Sequence, residues 1–129
     1  MSYQETVLKT LRSIGCEPER EENVGYSFKY EMLVILYLPD VSDENILHFV
    51  LPNIFSVTEV NKDAVLRAMY EVTSSMKHVR FTIIGNTSLS VTYEHYLVSE
   101  ENLEEVLRHM VKAVSHASYE FTKVINGEK

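Results

Sequence analysis

The chain has 129 residues, 45% of them hydrophobic and 24% charged, with four Gly and three Pro. That is one domain's worth, long enough to bury about two-thirds of the surface its unfolded form exposes without disulfides or metal, and far from the profile of a disordered chain. A net charge of −7 and a pI near 5.2, with twelve scattered Lys and Arg residues, disfavour nucleic acid and anionic membrane, which supply no counter-charge to an acidic surface.

An acidic surface suits a basic partner, and it equally suits plain solubility. The single cysteine, Cys16, has no partner for an internal disulfide, so a reducing compartment and an idle thiol are expected. The start Met1-Ser2-Tyr3-Gln4-Glu5 lacks a basic region followed by an apolar stretch, and the longest apolar run, residues 32–38, is too short to span a bilayer. The expected location is cytoplasmic.

In chain order, Ser2 and Glu5 have the spacing of a capping box, and Tyr3, Val7, Leu8, Leu11 and Ile14 fall on one face of a helix that ends near Gly15. Residues 17–23 are a charged connector, read as a solvated loop or a recognition site. Gly25 opens a strand in which Tyr26, Phe28 and Tyr30 alternate with Ser27, Lys29 and Glu31. A weakly signalled reversal near Glu31 and Met32 leads into Leu33-Val34-Ile35-Leu36-Tyr37-Leu38. This run is apolar on both faces, as in a central strand covered on both sides, by the chain itself or by another molecule. Pro39 and Asp40 stop it, residues 42–45 make a polar loop, and residues 46–51 form a third strand closed by Pro52.

A second helix is expected from about Asn61, as N-cap with Asp63 in the first turn, to about Lys77, with Val65, Met69, Val72 and Met76 along one face. Leu66 and Tyr70 widen that stripe sideways, beyond what docking on a sheet needs. Residues 79–97 then read as a β-hairpin: Val79, Phe81 and Ile83, and after Gly85-Asn86-Thr87 again Leu89, Val91 and Tyr93, alternate with polar residues, the pattern of a sheet with one dry face. Pairing Ile83 with Leu89 and Phe81 with Val91 requires an odd loop, which the three residues 85–87 provide. Ser99 caps a third helix of about seven turns with Glu100, Glu101, Glu104 and Glu105 at its start and an apolar stripe from Leu103 through Leu107, Val114 and Phe121 to Ile125. With no internal repeat or linker, residues 1–129 read as one α+β domain of order α-β-β-β-α-β-β-α, an antiparallel sheet packed with helices.

Chemistry-bearing patterns are sparse. His109 and His116 share a face of the third helix, but seven residues of rise separate them by about 10 Å, too far to share a metal. Glu105 with His109 and His116 with Glu120 have the i,i+4 spacing of surface pairs. His48, His78 and His95 read as structural. The four glycines stand singly, and there is no phosphate-binding glycine loop, nucleophile elbow, H-E-x-x-H or C-x-x-C. No catalytic, cofactor-binding or metal-binding residue is assigned, and no cofactor is expected. The eight tyrosines suit either a core rim or a partner surface.

Taken together, Phe28-Lys29-Tyr30-Glu31 leading into Leu33-Val34-Ile35-Leu36, the Asn61 region opening the second helix, and the hairpin from Val79-Arg80-Phe81 to Val91-Thr92-Tyr93-Glu94 resemble the type III secretion chaperone-like fold and, within it, the YbjN-like family of small bacterial proteins. The resemblance covers nearly the whole chain, rests on diffuse hydrophobic patterns, and carries no catalytic residues. It implies a non-enzymatic protein-binding adaptor or chaperone-like module, with a regulatory role of the kind suggested for YbjN-like proteins, a protein or peptide partner and a homodimeric state. The alternative is a small-ligand sensor or enzyme with a pocket between sheet and helices. The residues expected at an interface are Leu66, Met69 and Tyr70, covered either by a second molecule or by the first or third helix of the same chain.

Overall fold

The computed structural model describes residues 3–39, 45–76, 78–97 and 99–127. Ser2, residues 42–44 of the polar loop and Lys77 lie outside them. The elements are α1 (Tyr3–Ser13), β1 (Glu19–Glu21), β2 (Gly25–Tyr30), β3 (Leu33–Tyr37), β4 (Ile46–Ser56), α2 (Lys62–Ser75), β5 (Val79–Ile84), β6 (Ser88–Tyr96), a 3-10 turn (Glu100–Asn102) and α3 (Leu103–Ile125). The strands form one antiparallel sheet in the order β1-β2-β3-β4-β6-β5.

One strand more than expected is present. Glu19–Glu21, read from sequence as loop, pairs with β2 through Glu19↔Ser27 and Glu21↔Gly25, and the Ser27 hydroxyl donates to the Glu21 carboxylate at 2.7 Å. It is a short, fully charged edge strand with all three side chains exposed, the composition that discourages further strand addition. The β2–β3 hairpin turns on Glu31 (φ 47°) and Met32 (φ 69°), a left-handed pair normally supplied by Asn and Gly, which is why the sequence signals it so weakly.

Pro52 does not close β4. The ladder to β6 runs from Ile46↔Tyr96 to Leu51↔Val91, slips, and resumes at Phe55↔Leu89 and Ser56↔Ser88. Pro52 sits in the resulting bulge, where its missing N–H costs nothing, beside Asn53 at φ 55°, whose side chain accepts from the Ser88 hydroxyl. The β5–β6 hairpin has the expected register, Ile83↔Leu89 and Phe81↔Val91, around the loop 85–87.

The inner face of the sheet carries Tyr26, Tyr37, Phe49, Tyr93 and Val79 in one row and Phe28, Ile35, Val91 and Phe81 in the next. Edge-on aromatic pairs knit it together, with centroids 5.3 Å apart for Phe28 and Phe49 and 6.0 Å for Tyr37 and Phe49. Against it lie Val7 and Leu11 of α1, Val65, Ala68 and Val72 of α2, and the α3 stripe from Leu103 to Phe121, all in one core. Phe121 meets Phe55 and Phe81 at 5.4 Å and 5.6 Å. α1 ends as Gly15 (φ 93°) turns left-handed and the Cys16 N–H reaches back to the Leu11 carbonyl at 2.9 Å, which buries the thiol.

Two caps differ from expectation. The Asn61 side chain turns away from α2, accepting from the Thr58 N–H and donating to the Ser56 carbonyl, so it fixes the β4–α2 connection rather than the helix end. Ser99 caps the 3-10 turn by accepting from the Glu101 N–H, which places Glu100 and Glu101 before α3 and leaves Glu104 and Glu105 in its first turn.

The outer face follows the row Ser27, Leu36, Val50, Thr92 and Arg80. Val34, exposed, and Leu36, half-buried, belong neither to the helix-covered core nor to its fringe, whereas Val50 beside Leu36 is buried, so the second face of β3 is only partly covered by this chain. Arg80 and Glu94 form an ion pair on this side. The hairpin is nonetheless not simply one-sided: Ser90 and Thr92 of β6, expected to be exposed, are buried, because β6 lies between β4 and β5 and its short side chains sit below those of its neighbours.

Candidate interaction surface

α2 owes its helix to Ala, Leu, Arg, Met and Glu, with Asp63 in the first turn facing the positive end of the dipole. Val65, Ala68 and Val72 recur at helical spacing and are buried, so they fix which side of the helix meets the core. Leu66, one position after Val65, is rotated by about 100° from it, and Tyr70, two positions after Ala68 and two before Val72, by about 160–200° from them, so both face away from the core. Leu66 is accordingly 44% exposed and Tyr70 77% exposed, while Met69 is half-buried against the core fringe. The expected trio therefore divides: Met69 docks the helix, and Leu66 and Tyr70 form an apolar step to which α1 and α3 contribute no lining residue.

Around that step lies an open groove of about 520 Å³ lined by Leu66, Arg67, Tyr70, Glu71 and Ser74. Arg67 and Glu71, unremarked in the sequence reading, bring one positive and one negative charge to its border. Their i,i+4 relation to each other, and that of Leu66 to Tyr70, was the available signal. The Ser74 hydroxyl donates to the Tyr70 carbonyl at 2.7 Å, leaving the Tyr70 ring as the prominent feature.

Elsewhere the histidines converge in a way their sequence spacing hides. The buried Tyr93 ring has His78 stacked at 6.0 Å, His109 edge-on at 5.9 Å and His95 at 6.4 Å. Burial pushes the Tyr93 phenol up and the His95 imidazole down, the latter helped by His78 and His109. The Cys16 thiol is likewise raised by burial against the opposing pull of Arg108. The Tyr3 phenol, buried without a hydrogen-bond partner, is pushed up to about 12 by burial and then by Glu100. His116 reaches Glu120 at 3.8 Å, as its spacing suggested. Among the described residues no three His, Cys, Asp or Glu side chains are grouped to hold a metal, and no helix is long and apolar enough to cross a membrane.

The six-stranded antiparallel sheet with helices against its inner face is a fold shared with YbjN and with a type III secretion chaperone. Comparison with solved structures agrees. A crystallised uncharacterized protein from Methanothermobacter thermautotrophicus superposes with a TM-score of 0.70 at 16% identity, over 98% of this chain and 98% of that one. YbjN from E. coli, a candidate transcription regulator, gives 0.64 at 11% identity, over 92% and 87%. The Yersinia pestis type III secretion chaperone SycH, crystallised with a stable fragment of YscM2, gives 0.53 at 15% identity, over 90% and 99%. At these identities the likeness is one of fold. No protein-family model matches the chain, and no curated protein matches it in sequence.

Proposed function

We propose that this chain is a non-enzymatic, chaperone-like protein-binding module, a single cytoplasmic domain that pairs with a second copy through the flank of α2 and holds a protein or peptide partner. The observation that carries the reading is the Leu66–Tyr70 step. A large aromatic and a leucine stand exposed side by side on a regular helix whose core contacts are already made by Val65, Ala68 and Val72. Tyr is enriched in interface cores, and a patch bordered by one cation and one anion is self-complementary: across a twofold axis Arg67 of one copy meets Glu71 of the other while the apolar steps cover each other.

The fold supports the protein-partner part, since SycH was crystallised holding a protein fragment. The outer sheet face, with Val34 exposed and Leu36 half-buried outside the helix-covered core, adds apolar surface for an extended segment. Cys16, buried and single, suits a reducing compartment.

Sedimentation equilibrium at tens of micromolar tests the pairing. Wild type should sediment as a dimer and a Leu66→Glu, Tyr70→Glu variant as a folded monomer. A monomeric wild type, or a variant that stays dimeric, removes the α2 flank from the account.

A further inference from the structure

Away from the Leu66 step, a groove of about 620 Å³ lies where the end of α2 and the entry to β5 meet α3, lined by His78, His109, Lys112 and His116 together with Ser75 and Met76. Its chemistry runs against that of the chain as a whole. Nineteen carboxylates against twelve Lys and Arg make the protein acidic, yet among the described residues the lining holds four nitrogen bases and no carboxylate. The imidazoles come from separate elements: His109 and His116 from α3, and His78 from the segment before β5, where it is held at φ 71°, a costly conformation for a residue with a Cβ.

His78 stacks on the buried Tyr93 ring and His109 abuts it edge-on, so two of the lining imidazoles, from separate elements, are positioned by one buried side chain. His95 stands against the same ring from β6, and His78 and His109 both disfavour its charged form. An adjoining groove of about 420 Å³ shares Lys112 and His116 and extends the basic strip towards Tyr30 and Tyr119. Among the described residues, acidic groups nearby include Glu105, one turn before His109 on α3, Glu31 in the adjoining groove, and Glu120, which already faces His116 at 3.8 Å and Lys123 at 3.9 Å.

We propose that this groove binds a small multivalent oxyanion, engaged when its imidazoles are protonated. Imidazolium and ammonium N–H groups make short, charge-assisted hydrogen bonds to such an anion, and the bound anion relieves the mutual repulsion of the cations around it. Binding and proton uptake are therefore linked, and affinity rises as pH falls through the range in which imidazoles titrate. A phosphate ester and a polycarboxylate offer the same charge pattern, and they are separated by titrating two probes.

Inorganic pyrophosphate and citrate are titrated into the full chain, following binding by calorimetry and the imidazole resonances by NMR. The tighter probe identifies the source of the oxyanion. Affinity should fall about tenfold or more from about pH 6 to about pH 8, because only a protonated imidazole donates charge-assisted hydrogen bonds from both ring nitrogens. Both probes gain negative charge over that interval, so a weakening reports the protein. Shifts should concentrate at His78, His109 and His116 rather than His48. Lys112→Ala, and separately His109→Gln with His116→Gln, should each weaken binding at the lower pH, while Lys9→Ala on α1 should not. The proposal is overturned by the absence of saturable binding of either probe, by affinity that does not fall with pH, or by a loss in Lys9→Ala equal to that in Lys112→Ala.

Discussion

Replacing Phe81, Val91, Thr82 and Thr92 one at a time by Ala grades the two faces of the β5–β6 hairpin. Phe81 is 9% exposed and packs on Phe121 at 5.6 Å, so Phe81→Ala removes a buried ring and a ring pair, about 3–5 kcal/mol in all. In a chain of this size that is a drop in Tm of roughly 10–20 °C. Val91 is completely buried in a strand with neighbours on both sides, and its truncation should cost about 2–3 kcal/mol. Thr82 is exposed and should stay within about 0.5 kcal/mol. Thr92 lies between Val50 and Arg80 on the outer face with no helix above it, and losing its methyl and its strand preference should cost about 1 kcal/mol. Urea melts read the series as midpoints at constant m-value. A Thr92→Ala loss equal to that of Phe81→Ala would mean that the outer face is sealed as tightly as the inner one, and the description of the sheet would be wrong.

Gly25→Ala should destabilise by about 2 kcal/mol or more, because Gly25 has φ +149° and an added Cβ would stand 2.4 Å from the Tyr37 carbonyl oxygen; a variant melting with wild type in urea would contradict this. Cys16→Ser should fold and melt cooperatively close to wild type, and its failure to fold in circular dichroism would assign the thiol a role beyond packing. The Tyr3 phenol is held neutral above its ordinary pKa, so its contribution is complete below pH 10 and is lost as pH rises from there towards about 12. Tyr3→Phe should therefore lose less stability than wild type in thermal melts taken across that alkaline interval, with no penalty at neutral pH, since the buried hydroxyl has no partner to lose. An equal alkaline fall in both proteins would refute it.

What was legible in the sequence is what periodicity encodes. The stripe of α3, the buried face of α2 and the odd loop between Ile83 and Leu89 all follow from spacing, and the structure places them accordingly. β1 was hidden because three charged residues at a sheet edge are held by backbone pairing and carry no apolar alternation. Pro52 misled because a proline normally ends a strand, whereas a bulge accommodates one. The burial of Ser90 and Thr92 depends on the position of β6 between β4 and β5, which no local pattern states. For the same reason Leu66 and Tyr70 were visible as surplus, but that α1 and α3 leave them exposed came only from the packing. The basic groove was out of reach, because His78 and His109 are brought together by the shared Tyr93 ring.

The proposed pairing of α2 with its copy is tested most directly by a distance. With Cys16→Ser removing the native thiol, Ser74→Cys on the rim of the Leu66–Tyr70 groove provides one site for a nitroxide label in the full chain. Helices packed through their side chains lie about 8–10 Å apart, so two labels on facing flanks of a twofold pair fall within roughly 20–30 Å, a range that pulsed dipolar spectroscopy resolves. The account predicts a single narrow distance distribution there, abolished when Leu66→Glu and Tyr70→Glu are added. A sample without dipolar coupling, or a distance that survives those two substitutions, would contradict it.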